Sequence, residues 1–160
     1  MKDGERTENL WVKNLRLDGT AQGNLNGVMT DGNTWYVDGD VSASGNGTAW
    51  DNAFKTIQEG VTAAGANDIV YVKAKTITDY TGDPTSYAET IIIPYATSNL
   101  ALIGVSRGRT QGGLPQIKIG AGSTALLTVR APGCLIANLG FNGVDSTGGG
   151  ILLDDNYSTK

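Results

Sequence analysis

Aspartates and arginines carry most of the chemistry this sequence could attempt. Asp145, Asp154 and Asp155 fall near the end of the chain, and Arg107, Arg109 and Arg130 lie in the stretch before them. Two carboxylates roughly 5–10 Å apart can hydrolyse a glycosidic bond, and carboxylates beside a basic residue can bind Ca²⁺ and support proton abstraction. However, the twelve Asp against four Glu mostly neighbour Gly or Asn, which is turn chemistry on solvated loops. No complete catalytic set is spelled out, and no catalytic residue is assigned. Asp38-Gly39-Asp40-Val41-Ser42 has a calcium-loop flavour, but Ala43 occupies the turn position that needs Gly and no Glu follows at the twelfth position. No metal or cofactor site is assigned either.

Two absences narrow the chemistry further. The chain has no His, which removes the usual general base, the Ser-His-Asp triad and nearly every His-based metal site. Its single cysteine, Cys134, excludes an intrachain disulfide. Cys134 sits in Gly133-Cys134-Leu135-Ile136, an apolar setting that reads as a small buried hydrophobe.

Gly, Thr, Asn and Ser together make up more than a third of the 160 residues, while charged residues are only 18%. That is neither a charged disordered tail nor a coiled coil. No apolar run approaches membrane-spanning length, and a net charge of −4 without a basic stripe argues against nucleic-acid binding. Met1 to Arg6 lead into charge rather than an apolar signal-peptide core, yet the low-charge, Asn/Thr-rich composition suits an extracellular setting. Virion proteins, assembled in the host cytoplasm and released by lysis, satisfy both observations.

The elements that would position these residues fall into two parts. Residues 1–34 read as an N-terminal attachment arm: Trp11, Leu15 and Leu17 have too little apolar company to be buried locally and are expected against a partner chain. Residues 35–160 form the second part. Trp35-Tyr36-Val37-Asp38 reads as a strand, and Phe54, Ile57, Val61 and Ala64 mark one face of a helix over 52–64, capped by Asp51 and stopped by Gly65. Beyond Asn67 come short branched runs at Ile69–Val72, Ile91–Ile93, Leu100–Ile103, Ile117–Ile119, Leu126–Val129, Leu135–Leu139 and Ile151–Leu153, with no second helical stretch between them.

Spacing selects among all-β architectures. Ile69 to Leu100 is 31 residues and Leu100 to Leu135 is 35, with a second strand inside each interval and turn residues such as Thr81-Gly82-Asp83-Pro84 in the longer gaps. This irregular repeat predicts a parallel β-helix, a solenoid, whereas hairpin signals are too sparse to favour the alternative β-sandwich. Ile151–Leu153 still lays down a strand, so the expectation is that the solenoid continues beyond residue 160.

Trp35–Gly39, Trp50–Gln58 and Asn67–Val72 together resemble the opening of right-handed parallel β-helix proteins of the pectate-lyase-like superfamily, and Asn99–Gly104 and Ile136–Phe141 look like its coil strands. The resemblance spans roughly residues 35–155. It implies a right-handed parallel β-helix with one N-terminal capping helix, and a function among lyases, hydrolases, adhesins and phage spikes. The leading expectation is a bacteriophage virion protein, a head fibre or tail spike. Its arm would bind a capsid or tail protein, its β-helix would project towards cell-surface glycans, and resemblance to phage spikes implies a homotrimer. The alternative is a polysaccharide lyase or glycoside hydrolase of the same fold; a surface adhesin ranks third, for want of an export signal.

Overall fold

The computed structural model describes residues 32–76, 86–105, 113–118, 125–143 and 150–154. Among these residues the chain is mostly strand with a single α-helix. In chain order the elements are β1 (Thr34–Val37), a 3-10 turn (Trp50–Asn52), α1 (Ile57–Ala63), β2 (Ile69–Val72), β3 (Tyr87–Ala88), β4 (Ile91–Ile93), β5 (Ala101–Gly104), β6 (Gln116–Lys118), β7 (Leu127–Val129), β8 (Leu135–Ala137), β9 (Gly140–Asn142) and β10 (Ile151–Leu153).

The strands form three sheets, ordered β1-β2-β5-β8, β3-β6-β9 and β4-β7-β10, and every pairing is parallel. From β2 onward the chain visits the three sheets in fixed rotation and adds one strand to each per circuit. Parallel neighbours cannot be joined by a tight hairpin, so each crossover must run through other elements, here the strands of the other two sheets. The spacing argument pairs one second strand with each interval, at Ile91, Ile117 and Ile151, although a further run at Leu126–Val129 is also marked. β3 and β9 are too short and too weakly apolar to stand out, and the structure has three strands per circuit. As a result Ile91 aligns with Leu127 and Ile151, and Ile117 aligns with Tyr87 and Phe141.

Register stacks like on like. Val70 lies beside Trp35 on one side and Leu102 on the other, with Ile136 beyond. Ile91 aligns with Leu127, and Ile93 with Val129. Val70, Leu102, Ile91, Ile93, Leu127 and Ile117 are fully buried and belong to one core cluster. Each such side chain contributes about 1.5–3 kcal/mol relative to exposure. On β10 the same columns reach solvent, and Leu153 is 78% exposed.

The corners before β2, β5 and β8 of the first sheet repeat a backbone shape. Asn67, Asn99 and Gly133, each two residues before register partners Ile69, Ala101 and Leu135, have φ of 64°, 59° and 72°. Asn tolerates this left-handed region better than most residues, and Gly carries no penalty there. The Asn99 Nδ2 donates to Asn67 Oδ1 at 3.0 Å, and the Asn67 and Asn99 N–H groups donate to Ser98 and Pro132 carbonyls at 2.9 Å. At the third corner a Cβ on residue 133 would strike the Asn99 side-chain oxygen.

The helix departs from the sequence expectation at its start. Asp51 lies in the 3-10 turn, and α1 is capped by Thr56, whose Oγ1 accepts from the Glu59 N–H at 3.2 Å while the Glu59 carboxylate accepts from the Thr56 N–H at 2.9 Å. This is a capping box, spelled by Thr56-Ile57-Gln58-Glu59. Phe54 precedes the helix, makes a parallel bridge with Val37 and is half-buried against Trp35. Ile57 and Val61 are fully buried, as expected, and α1 packs on β1, β2 and β4. Gly65 follows the helix with an ordinary φ, its N–H held by Asp68 at 2.7 Å.

Glu89 fastens the helix to the β3–β4 corner. Its carboxylate accepts from the Ile57 and Gln58 N–H groups at 2.9 Å each, two donors that the helix itself cannot satisfy. Burial pushes this carboxyl above its ordinary pKa, against the downward pull of those N–H groups. A raised folded pKa contributes stability that is complete below the unfolded value and is lost as pH rises through the folded one. Asp40 and Glu59 are lowered: burial pushes each up, but hydrogen bonds from Thr76 and Thr56 outweigh it, so their contributions are lost as pH falls. Glu89→Gln should therefore gain stability relative to wild type between about pH 4 and pH 7. Denaturant titrations at the two pH values check this, and a gain on acidification instead would refute it.

Candidate functional site

Structure assigns the two aspartates of the loop after β1 to architecture. After β1, Asp38 is 7% exposed, accepts from Lys73 Nζ at 2.5 Å and accepts from the Asp40 N–H at 3.0 Å. The Asp40 carboxylate accepts from the Thr76 N–H and hydroxyl at 2.7 and 2.6 Å. These two aspartates tie the loop after β1 to the segment after β2. Among the described residues no group of three or more His, Cys, Asp or Glu is placed to hold a metal ion.

Tyr87 locks the same corner from inside. It is 3% exposed, its hydroxyl donates to the Lys73 carbonyl at 2.7 Å and accepts from the Gly39 N–H at 2.9 Å, and Lys75 Nζ lies 5.6 Å from its ring. Burial raises the phenol's pKa, with Asp38, Asp40 and Glu89 adding to the rise, so it stays protonated and works as a bridge. Tyr87→Phe should cost about 1–2 kcal/mol by stranding both partners, measurable by thermal or urea unfolding. A neutral effect would mean that the corner holds without the bridge.

Two of the remaining candidates meet. Arg130 Nε donates to Asp154 Oδ2 at 2.9 Å, an exposed pair immediately after β7 and β10. Asp145, Asp155, Arg107 and Arg109 lie outside the described residues, as do Trp11, Leu15 and Leu17 of the arm and the Thr81–Pro84 loop. Cys134 is half-buried against the core, and burial raises its thiol pKa despite the Leu100 backbone hydrogen bond. That is the setting of an inert thiol.

Sequence reading did not single out an aromatic cluster on the outer face of the first sheet. Alternation along β1 and β2 turns Val37, Val70 and Val72 inward and leaves Tyr36 and Tyr71 on the opposite face. Register sets Tyr36 beside Tyr71, with ring centroids 6.1 Å apart, and Ile103 of β5 follows them. Trp50 meets Tyr36 edge-on at 4.8 Å and is 39% exposed. Its loop is stitched down: the Tyr36 N–H donates to the Gly47 carbonyl and the Phe54 N–H to the Tyr36 carbonyl, both at 2.9 Å. Asn46 Oδ1 accepts from the Thr48 hydroxyl and the Asn52 amide at 2.8 Å each. The Tyr36 and Tyr71 hydroxyls and the Trp50 indole N–H make no hydrogen bond among the described residues. The signal in the sequence was Tyr at alternate positions of two strands, but only the register brings them together.

No protein-family model matches the chain, and no curated protein or solved structure matches it.

Proposed function

We propose that this chain is a structural protein of a bacteriophage particle, a head fibre or tail spike. Residues 1–34 would anchor it to a capsid or tail protein through Trp11, Leu15 and Leu17, and the strand region would project outward towards cell-surface glycans. In this reading the three sheets wind as a right-handed parallel β-helix of the pectate-lyase-like kind, α1 covers its first circuit, and three copies associate. The observation that carries it is the rotation of the chain through three all-parallel sheets with stacked apolar columns, the layout of a stiff elongated scaffold. The loop aspartates support a scaffold over an enzyme, because Asp38 and Asp40 are spent on loop-to-loop hydrogen bonds.

The test is mass spectrometry of gradient-purified particles from a phage carrying this gene, with a second phage encoding the chain without residues 1–34. Stoichiometric recovery of the full chain, lost on deleting the arm, is the expected result. Recovery only in the soluble lysate would refute the proposal.

A further inference from the structure

We infer that Trp50, met edge-on by Tyr36 with Tyr71 beyond it, forms an aromatic contact site for a neutral pyranose sugar. The inference rests on the outward-facing reading above and supplies its contact site. Three observations converge on this ligand chemistry. First, an aromatic face attracts the polarised C–H face of a sugar ring, and Trp and Tyr offer that face on rigid side chains with a polar tip. Second, the tips are unused among the described residues: two hydroxyls and an indole N–H stand at a partly exposed surface, where sugar hydroxyls can both donate and accept.

The third observation is charge. Residues 44–52, which carry Trp50, hold a single charged side chain, the exposed Asp51. Lys73, which follows Tyr71 on the same face, is already paired with Asp38 at 2.5 Å, so its ammonium is not free to hold an acidic polysaccharide, and neutral sugars are favoured. The geometry is prepaid as well: Trp50 sits on a loop fixed by backbone bonds to β1 and by the Asn46–Thr48–Asn52 cluster, so little ordering remains on binding. Ile103, half-buried beside Tyr71, extends the site by one apolar step.

The experiment uses the full chain labelled with 5-fluorotryptophan, whose three tryptophans give separate ¹⁹F signals. Glucose, mannose and galactose oligomers are titrated to millimolar concentration, and polygalacturonate is titrated separately. The expected result is a saturable shift of the Trp50 signal with at least one neutral oligomer. Trp35 should stay unmoved, since its indole N–H is committed to buried Asp68 at 2.8 Å. Trp50→Ala, with binding of the same oligomer read by isothermal titration calorimetry in both proteins, should weaken that binding about tenfold or more, with the Trp35 signal reporting an intact fold. Tyr71→Phe, which removes only a hydroxyl, should weaken it severalfold.

No shift with any neutral oligomer, a shift with polygalacturonate alone, binding indifferent to Trp50→Ala, or a Trp50 shift that follows protein concentration would each overturn the inference. The last would mean that a second copy covers the site. Particle recovery is a separate readout, so a chain present in virions without sugar binding overturns only this inference, and sugar binding by a chain absent from virions overturns only the virion reading.

Discussion

Asp68→Ala is expected to lower the free energy of unfolding by about 4 kcal/mol, the largest loss from any single polar side chain described above. Asp68 is 3% exposed and gathers three donors: the Asn33 N–H at 2.6 Å, the Trp35 indole N–H at 2.8 Å and the Gly65 N–H at 2.7 Å. It therefore joins the approach to β1, a core-facing indole and the exit of α1 at one carboxylate. A hydrogen bond to a charged acceptor contributes about 1.5–3 kcal/mol, and the half-buried indole cannot recover its partner from bulk water. The sum is discounted because Asn33 and Gly65 are exposed and can be rehydrated. Asp68→Asn keeps one acceptor oxygen and should cost roughly half as much. Urea titration measures both; a loss under about 1 kcal/mol for the alanine variant would mean that the three segments hold together without this hub.

Gly104→Ala is the second large effect, at about 3 kcal/mol or more, by overpacking rather than by a lost bond. A Cβ at residue 104 would fall onto the Asn138 carbonyl oxygen, with Pro115 Cδ at 2.9 Å. The obstacle is backbone of the next circuit, held by β5–β8 pairing and by Asn138's own left-handed φ of 54°, so it cannot swing aside as a side chain would. Gly65→Ala is the control. Its Cβ would meet nothing closer than Asp68 Oδ2 at 3.8 Å, and its effect should lie within about 0.5 kcal/mol of zero. Equal effects of the two substitutions would mean that β5 and the corner at Asn138 do not approach as described.

Why some of this was legible in the sequence and some was not follows from length and period. Branched runs such as Ile69–Val72 and Ile91–Ile93 announce strands by composition alone, and the intervals between them announce a repeating all-β arrangement. β3 has two residues and β9 is Gly140-Phe141-Asn142, so neither carries enough apolar periodicity to register, and of the third sheet only β6 is legible, in the Ile117–Ile119 run. The helix start was misplaced because Phe54 sits three residues before Ile57 and mimics helical spacing while belonging to a bridge with Val37. Thr56-Ile57-Gln58-Glu59 held the correct signal. The hub at Asp68 and the aromatic face depend on residues 33 to 35 positions apart in the chain, which only register brings together.

Cryo-electron microscopy of the intact phage particle tests the central claim most directly. The expected result is a projecting rod whose density accommodates the three parallel sheets of residues 32–154, with strand layers about 4.8 Å apart along its axis and residues 1–34 continuing into a capsid or tail protein. A complete particle map in which every projection is accounted for by other chains would contradict it.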